Sequence, residues 1–225
     1  TTGQVRWFKR PTPGNTYLTS LDPSMGTGGD YAAIQVFELP TFEQVAEWHH
    51  NQTPMNQQVR ILQGINKHIY DTIMEQDSTA TPQIFYSMEN NSLGEAALLR
   101  VMDIGEENIM GMFLSEPIRK GHRRKFRRGF NTTAKHKIDA CTKFKELIEN
   151  NKMKINSQLL ISELKDFVAS GMSFKAKPGQ HDDLVSSCLL MTRMMKVLAD
   201  FDPKIFEKWT DRTSEITPMP IFGSF

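Results

Sequence analysis

The chain has few cysteines and no long apolar run. Its 225 residues include two cysteines, Cys141 and Cys188, and no CxxC pair. Both lie among apolar neighbours in segments with helical periodicity, so we expect reduced core thiols of a cytosolic protein, not a disulfide framework or a zinc site. No 18-residue apolar run and no basic-then-apolar leader is found. These absences predict a soluble protein that is neither membrane-spanning nor secreted.

The sequence also lacks the motifs of several enzyme classes. The pattern GxxxxGK[ST] is absent, and the glycines at 26, 28 and 29 are not followed by the Lys and Ser/Thr of a phosphate loop. No GxSxG motif or Cys-His arrangement supports covalent catalysis. We therefore expect this chain neither to hydrolyse a nucleotide nor to form a covalent enzyme intermediate.

Composition predicts one domain with irregular ends. A hydrophobic content of 39% in 225 residues is enough for one substantial core. Prolines interrupt both ends of the chain, which favours a linker at residues 1–15 and an irregular tail at residues 211–225. The predicted domain covers residues 16–210.

Apolar periodicity within this domain alternates between strand and helix. Strands are predicted at 17–22, 31–39, 42–49, 83–88, 153–155 and 172–176, with a short apolar segment at 109–114. Helices are predicted at 56–76, 92–102, 132–151, 157–169 and 182–199. The first three strands, joined by tight turns, predict an antiparallel meander. The whole order predicts an α/β fold, a mixed sheet with helices on both faces.

Positive charge is concentrated in one segment. Residues 117–138 contain nine Lys or Arg and no Asp or Glu, whereas the remaining chain has 18 basic and 26 acidic residues. The basic residues are Arg119, Lys120, Arg123, Arg124, Lys125, Arg127, Arg128, Lys135 and Lys137. With Phe126 and Phe130 interleaved, this pattern favours binding of a phosphate backbone, and the alternative is an ordinary solvated face.

Acidic residues stand at three structurally related places. Asp22 and Glu89 each follow a predicted strand, and Asp182 and Asp183 open the last predicted helix. Each acid has an ordinary explanation as a turn residue or a helix cap. If they converge, they form an all-oxygen site that suits Mg²⁺ or Mn²⁺. Two such ions, roughly 3.5–4 Å apart, serve phosphodiester hydrolysis. Position alone does not choose between Asp182 and Asp183, because adjacent helical residues point about 100° apart.

These motifs resemble those of a known protein family. The segments LDPSMGTGGDY, YSMENNSLG and GQHDDLVSS, with the basic segment between the second and third, are similar to the C-terminal nuclease domain of the large terminase subunit of tailed bacteriophages of the myovirus type. The resemblance covers nearly all of residues 16–200. It implies an RNase H-like (resolvase-like) fold and an endonuclease that cuts concatemeric viral DNA when packaging begins and ends.

The resemblance also implies site residues, cofactors and partners. Asp22, Glu89 and Asp183 are expected to be the catalytic ligands of Mg²⁺ or Mn²⁺, bound as two ions. Asp30 and Asp182 are expected to support them as further metal-binding residues. The implied partners are double-stranded DNA, an N-terminal packaging ATPase in the same subunit, the portal and the small terminase subunit, in the host cytoplasm. Residues 1–15 are then the remnant of the linker to that ATPase.

Two other functions remain open from the residues alone. One is an RNase H-like junction resolvase, which shares the metal chemistry but selects branched DNA. The other is a non-enzymatic DNA-binding packaging module, in which the acids are only caps and turns. The adjacent His49 and His50 offer too few ligands for a metal, so we expect a solvated pair.

Overall fold

Strands and helices alternate through most of the chain. The structure is a computed structural model that describes residues 3–117, 128–171 and 173–201. The strands are β1 (Arg6–Trp7), β2 (Thr16–Asp22), β3 (Ala32–Leu39), β4 (Glu43–His50), β5 (Gln83–Met88), β6 (Met112–Phe113), β7 (Phe167–Ser170) and β8 (Ser173–Ala176). The helices are α1 (Met55–Gln76), α2 (Ser92–Ile104), α3 (Ala134–Glu149), α4 (Gln158–Asp166) and α5 (Asp183–Phe201), and Glu106–Asn108 form a 3-10 turn.

The main sheet has six strands in the order β1-β4-β3-β2-β5-β6. Strands β2, β3 and β4 pair antiparallel, so the predicted meander is confirmed. Strand β2 pairs parallel with β5, and β5 pairs parallel with β6. The sheet is therefore mixed, as predicted, and its parallel strands β2 and β5 end at the same edge.

Apolar side chains cover both faces of this sheet. One core, which includes Leu18, Phe144 and Met191, lies against α3, α4 and α5. The other, which includes Tyr17 and Leu62, lies against α1 and α2. Each large apolar side chain buried in these cores contributes roughly 1.5–3 kcal/mol. Helices thus cover both faces, and the predicted fold class is confirmed.

Alternation along β2 decides which face carries its last residue. Leu18 belongs to the core beside α5, whereas Tyr17 and Leu21 belong to the opposite core. Because successive side chains alternate, Ser20 and Asp22 point towards α5. The Ser20 hydroxyl confirms this direction, since it lies 2.8 Å from the Ser187 hydroxyl and 2.9 Å from the Ser187 carbonyl oxygen on α5.

Three predicted elements differ from the structure. The helix predicted at 157–169 ends at Asp166, and the chain continues as β7, which pairs with β8 in a separate two-stranded sheet. The strand predicted at 153–155 is an isolated bridge between Lys154 and Glu43. Residues 6–7, predicted to be irregular, pair with β4 at the edge of the main sheet.

Nonlocal pairing explains the change from helix to strand at Phe167. The rings of Phe167 and Phe174 stack with centroids 6.2 Å apart, and Gly171 has a φ of +60°, which suits a tight turn. The helical periodicity of the segment did not reveal this pairing.

Within the described ranges, no helix is both long and apolar enough to span a membrane.

Candidate active site

Asp22 and Glu89 lie side by side at the shared edge of β2 and β5. Leu21 pairs with Met88 in the parallel register, and the Glu89 amide donates a hydrogen bond to the Leu21 carbonyl oxygen at 3.2 Å. This pairing places the two acids next to each other, and the Glu89 carboxyl raises the pKa of Asp22. The Asn91 side-chain amide also donates to Glu89 at 3.3 Å. The parallel register therefore produces the first half of the predicted acidic site.

The start of α5 supplies the second half. The Tyr31 amide lies near enough to the Asp183 carboxylate to favour its charged form, and Asp183 also interacts electrostatically with Asp30. Asp182 accepts a hydrogen bond from the Ala176 amide at 3.2 Å. Both Asp182 and Asp183 interact with Asp22 strongly enough to raise its pKa. The acids predicted from three separate segments thus form one electrostatic cluster.

Glu163 of α4 stabilises the first turn of α5. Its carboxylate accepts hydrogen bonds from the Leu184 amide at 2.9 Å and the Val185 amide at 3.2 Å. These N–H groups belong to the turn that an N-cap side chain normally satisfies. Because Glu163 performs this role, the carboxylates of Asp182 and Asp183 remain available to the site. Burial raises the pKa of Glu163 to about 7 despite these two hydrogen bonds.

The cluster makes its own ionisation unfavourable. Removal from water raises the pKa of Asp22 well above its ordinary value, and the nearby Glu89, Asp183 and Asp182 raise it further. Burial likewise raises the pKa of Asp183 to about 6, although the neighbouring His181 opposes this shift. Two neighbouring acids with raised pKa values, Asp22 and Asp183, are typical of a functional site.

The residues present fit a divalent cation of the Mg²⁺ type. The converging side chains are carboxylates, which are the ligands such ions prefer. Burial and the adjacent Glu89 carboxyl both raise the pKa of Asp22 and so favour a proton on it. A cation there would replace that proton and relieve the repulsion. Among the described residues, no three acidic, histidine or cysteine side chains already stand in ligand geometry.

The remaining predicted site residues lie at different distances from this cluster. Asp30 is exposed, at the rim beside Asp183. The Lys137 ammonium is 3.8 Å from the Asp182 carboxylate, whereas Lys135 is exposed to solvent. Arg119, Lys120, Arg123, Arg124, Lys125 and Arg127 lie outside the described residues.

Arg128 makes intramolecular contacts instead of standing free. It forms an ion pair with Glu106 and lies 5.4 Å from the centroid of the Phe113 ring. Its carbonyl oxygen accepts a hydrogen bond from the Asn90 side chain at 2.7 Å. Arg128, within the basic segment, is thereby attached to the turn that follows Glu89.

Two further residues, Glu163 and His49, lie near the site, and the sequence pattern assigned neither of them to it. Glu163 is one acid in an amphipathic helix, and only the packing of α4 against α5 brings it to Leu184. His49 stacks on Tyr31 with ring centroids 4.2 Å apart, and burial lowers its pKa to about 4. The expected solvated histidine pair is therefore wrong for His49, which lies in a half-buried aromatic stack behind the site.

Fold and site together define an RNase H-like domain, in which acids at adjacent strand ends face acids on a helix across the sheet. Residues 19–194 match the terminase RNaseH-like domain family. The match covers most of the sequence, and the chain belongs to this family.

Solved terminase nuclease structures have the same fold. The large terminase nuclease from thermophilic phage G20c with bound magnesium has a TM-score of 0.61 at 16% identity, covering 84% of this chain and 87% of that chain. The Thermus phage P74-26 large terminase nuclease domain has a TM-score of 0.59 at 16% identity, covering 84% of each chain. The manganese-soaked, inhibitor-bound human cytomegalovirus terminase nuclease domain has a TM-score of 0.55 at 13% identity, covering 83% and 85%.

Proposed function

We propose that this domain is a divalent-metal-dependent endodeoxyribonuclease that cuts concatemeric viral DNA at the initiation and termination of genome packaging. Membership of the terminase RNaseH-like domain family supports the activity and its setting. The observation that carries the proposal is the cluster in which Asp22 and Glu89 meet Asp182 and Asp183. Magnesium in one structure with the same fold and manganese in another support Mg²⁺ or Mn²⁺ as the cofactor, and we propose that two ions bind.

Each acid has a distinct position in the proposed mechanism. Asp22, Glu89 and Asp183 are the metal-binding catalytic carboxylates, and Asp182 and Asp30 support them. When bound, the ions supply an activated water and stabilise the leaving oxygen of the phosphodiester. The Tyr31 amide favours the charged form of Asp183, and Asn91 orients Glu89 through its side chain. Glu163 fixes the helix turn that carries Asp183.

We propose that the basic segment binds the DNA backbone through Arg119, Lys120, Arg123, Arg124, Lys125, Arg127, Arg128, Lys135 and Lys137. Each phosphate neutralised by Lys or Arg contributes roughly −0.9 to the slope of log affinity against log salt concentration. A salt titration of DNA affinity tests this role with Arg123, Arg124 and Arg127 changed to alanine. We expect the slope to flatten by about 2.7 units, and an unchanged slope would contradict the contact.

Family membership supports a proposal for the wider assembly. We propose that the domain occupies residues 16–210, preceded by a linker at 1–15 whose Arg6–Trp7 strand pairs with β4 and followed by a tail at 211–225, which lies outside the described residues. We propose that it acts with a packaging ATPase, the portal and the small terminase subunit in the host cytoplasm. Co-purification of the full-length subunit with the small subunit and portal tests these contacts. Failure of all of them to associate during packaging would contradict this part.

Incubation of supercoiled plasmid with the chain in Mg²⁺, Mn²⁺ or EDTA tests the activity. We expect nicked and linear products with either metal and intact plasmid in EDTA. Asp183→Asn should abolish cutting, whereas Asp103→Asn, which changes an exposed acid paired with Arg100, should retain it. Binding without cutting in every metal would favour a DNA-binding packaging module. Strong preference for four-way junctions over linear duplex would favour a resolvase.

A further inference from the structure

A cleft of about 110 Å³ opens between α3 and α5 beside the acidic site. Glu89 lines one end of it, and His136, Lys137, Ser186 and Arg193 contribute polar groups to its walls. Leu189 and Leu190 contribute apolar surface. The cleft therefore combines one proposed catalytic carboxylate with several cationic or hydrogen-bonding side chains, a composition that suits a phosphate group next to a sugar.

Arg193 is held in the wall of the cleft by several contacts with neighbouring residues. It forms an ion pair with Glu116, donates to the Asn131 carbonyl oxygen at 3.0 Å and to the Thr132 hydroxyl at 2.9 Å, and lies over the Phe130 ring. Only 12% of its side chain is exposed. These contacts fix Arg193 in place, so we assign it a structural role in the cleft and not the binding of a ligand.

Lys137 is held much less firmly. Its ammonium lies 3.8 Å from the Asp182 carboxylate, which is beyond normal hydrogen-bond length, and 5.7 Å from the centroid of the Phe167 ring. The side chain is one-quarter exposed. Lys137 thus places a positive charge between the acidic site and the cleft, with donors available to an incoming anion.

His136 lines the cleft beside Lys137. Its Nδ1 atom lies 2.9 Å from the Asn131 carbonyl oxygen, which only accepts hydrogen bonds, so Nδ1 carries the proton. The Nε2 atom of the neutral ring is then an acceptor, and it donates to a phosphate only in the imidazolium form, so Lys137 is the cleft's donor to an anion. A DNA strand carries one phosphate per about 3.4 Å of helix axis, so a strand reacting at Glu89 brings a neighbouring phosphate into reach of this cleft.

We propose that the α3–α5 cleft binds the backbone phosphate next to the scissile one on the cleaved strand, with Lys137 as its main ligand. This inference rests on the proposed nuclease function and adds a position for the strand. It assigns Lys137 to one particular phosphate, whereas the basic segment as a whole is proposed only to contact the backbone. Loss of this contact should therefore slow cleavage only when the altered phosphate lies at one fixed number of nucleotides from the cleaved bond.

Single methylphosphonate substitutions in a short DNA duplex test this offset. A methylphosphonate is uncharged, so it removes the charge of one phosphate at a known position. With the wild-type chain and Mg²⁺, a sequencing gel should show cutting slowed about tenfold at one bond, at a fixed distance from each substitution. Lys137→Ala should slow cutting of unmodified DNA to a similar extent and should abolish this position-dependent loss.

A matched control lies on the same helix. Lys143→Ala removes the same charge from α3, but Lys143 is exposed and pairs with Glu146, so cutting and its offset dependence should be unchanged. Thermal unfolding checks the fold of Lys137→Ala, and Lys137→Gln, which keeps most of the aliphatic stem, replaces it if the alanine variant unfolds.

Two results would overturn the inference while leaving the nuclease function intact. Wild-type chain that cuts in Mg²⁺ with no offset-dependent methylphosphonate effect would remove the cleft from the strand path. A methylphosphonate effect that persists in Lys137→Ala would mean that Lys137 acts through Asp182 and not on a phosphate. Absence of any metal-dependent cutting by the wild type would instead contradict the proposed function itself.

Discussion

The protein has two groups of buried or half-buried carboxylates, which differ in whether cations balance their charge. The paired carboxylates Glu38, Glu43 and Glu47 lie on β3 and β4, and each has a cationic partner. Glu38 pairs with Lys9, Glu43 with Lys154 at 2.7 Å, and Glu47 with Arg6 at 3.3 Å. We call Asp22, Glu89, Asp182 and Asp183 the site carboxylates. Within the described residues, neither Asp22 nor Glu89 forms an ion pair with Lys or Arg.

The pKa values follow this difference. Burial raises the pKa of Glu43, but hydrogen bonds from Lys154, Asn156 and Lys9 outweigh burial and leave the value below the ordinary one. The pKa of Asp22 is raised, because burial and neighbouring acids act in the same direction. A buried acid alone therefore does not indicate function. What distinguishes the site carboxylates is that the fold brings them together without enough positive charge, among the residues that the structure describes, to balance them.

The largest expected effect comes from the site carboxylates. Asp22→Asn, Glu89→Gln and Asp183→Asn should each slow plasmid cleavage in Mg²⁺ by about 10³-fold, because metal stabilisation of the transition state amounts to several kcal/mol. The fold should remain intact, since each change removes repulsion among the acids. Cleavage kinetics and circular dichroism measure both effects. Near-wild-type cutting by one variant would remove that residue from the catalytic set.

The paired carboxylates should affect stability and not chemistry. Glu38→Gln should lower the free energy of unfolding by about 2–3 kcal/mol, because the buried Glu38 loses its ion pair with Lys9 and leaves that ammonium with a neutral partner. Urea denaturation measures the loss, and the cleavage rate per folded molecule should be unchanged. Glu146→Gln, in an exposed pair with Lys143, is the control, with an expected loss below about 0.5 kcal/mol.

A loss of cleavage in fully folded Glu38→Gln, with no loss of stability, would contradict the division into two groups. It would place a charge on β3 in the chemistry, far from the acids assigned to it.

Metal-free protein should become less stable as pH rises. The folded-state pKa of Asp183, about 6, lies above the ordinary value of 3.8, so the folded state retains a proton that the unfolded state has lost. This contribution is complete below about pH 4 and is lost as pH rises through about 6. In EDTA, Asp183→Asn should therefore gain on the order of 2 kcal/mol relative to wild type between these values. Denaturation at several pH values measures the difference, and a constant difference would contradict it.

The smallest expected effect is that of changing Glu163. Glu163→Ala leaves the Leu184 and Val185 amides without their acceptor and should lower the free energy of unfolding by about 1 kcal/mol. Glu163→Gln keeps an acceptor oxygen and should recover most of both stability and cleavage. Thermal unfolding and Mg²⁺-dependent cleavage measure the two variants. Equal loss in both would mean that charge, and not capping, is what Glu163 contributes.

Much of the fold follows from local sequence patterns. The alternation in residues 31–39 and the helical stripe in residues 56–76 predict β3 and α1 to within a residue or two. The strand at residues 167–170 was not predicted, because it depends on pairing with β8. Pairing between two segments is not encoded in the hydrophobic periodicity of either segment. The edge strand at Arg6–Trp7 depends in the same way on β4.

The acidic site was predictable only in part. Asp22, Glu89 and Asp183 stand at element ends, where position along the sequence indicates a shared edge, and the parallel register of β2 and β5 brings the first two together. No local pattern separates Glu163 from any other charge on a helix, and the charge pattern assigns Lys137 to the basic segment without placing it beside the acidic site. Their positions depend on how α3 and α4 pack against α5, which is a property of the assembled core.

Anomalous scattering from crystals grown with Mn²⁺ tests the central claim most directly, because it locates the ions independently of activity. The account predicts Mn²⁺ density between the carboxylates of Asp22, Glu89 and Asp183, as two peaks roughly 3.5–4 Å apart, and no density among Glu38, Glu43 and Glu47. Asp183→Asn crystals should lose at least one peak. Mn²⁺ bound only at the paired carboxylates, or none at the site carboxylates at saturating metal, would contradict the account.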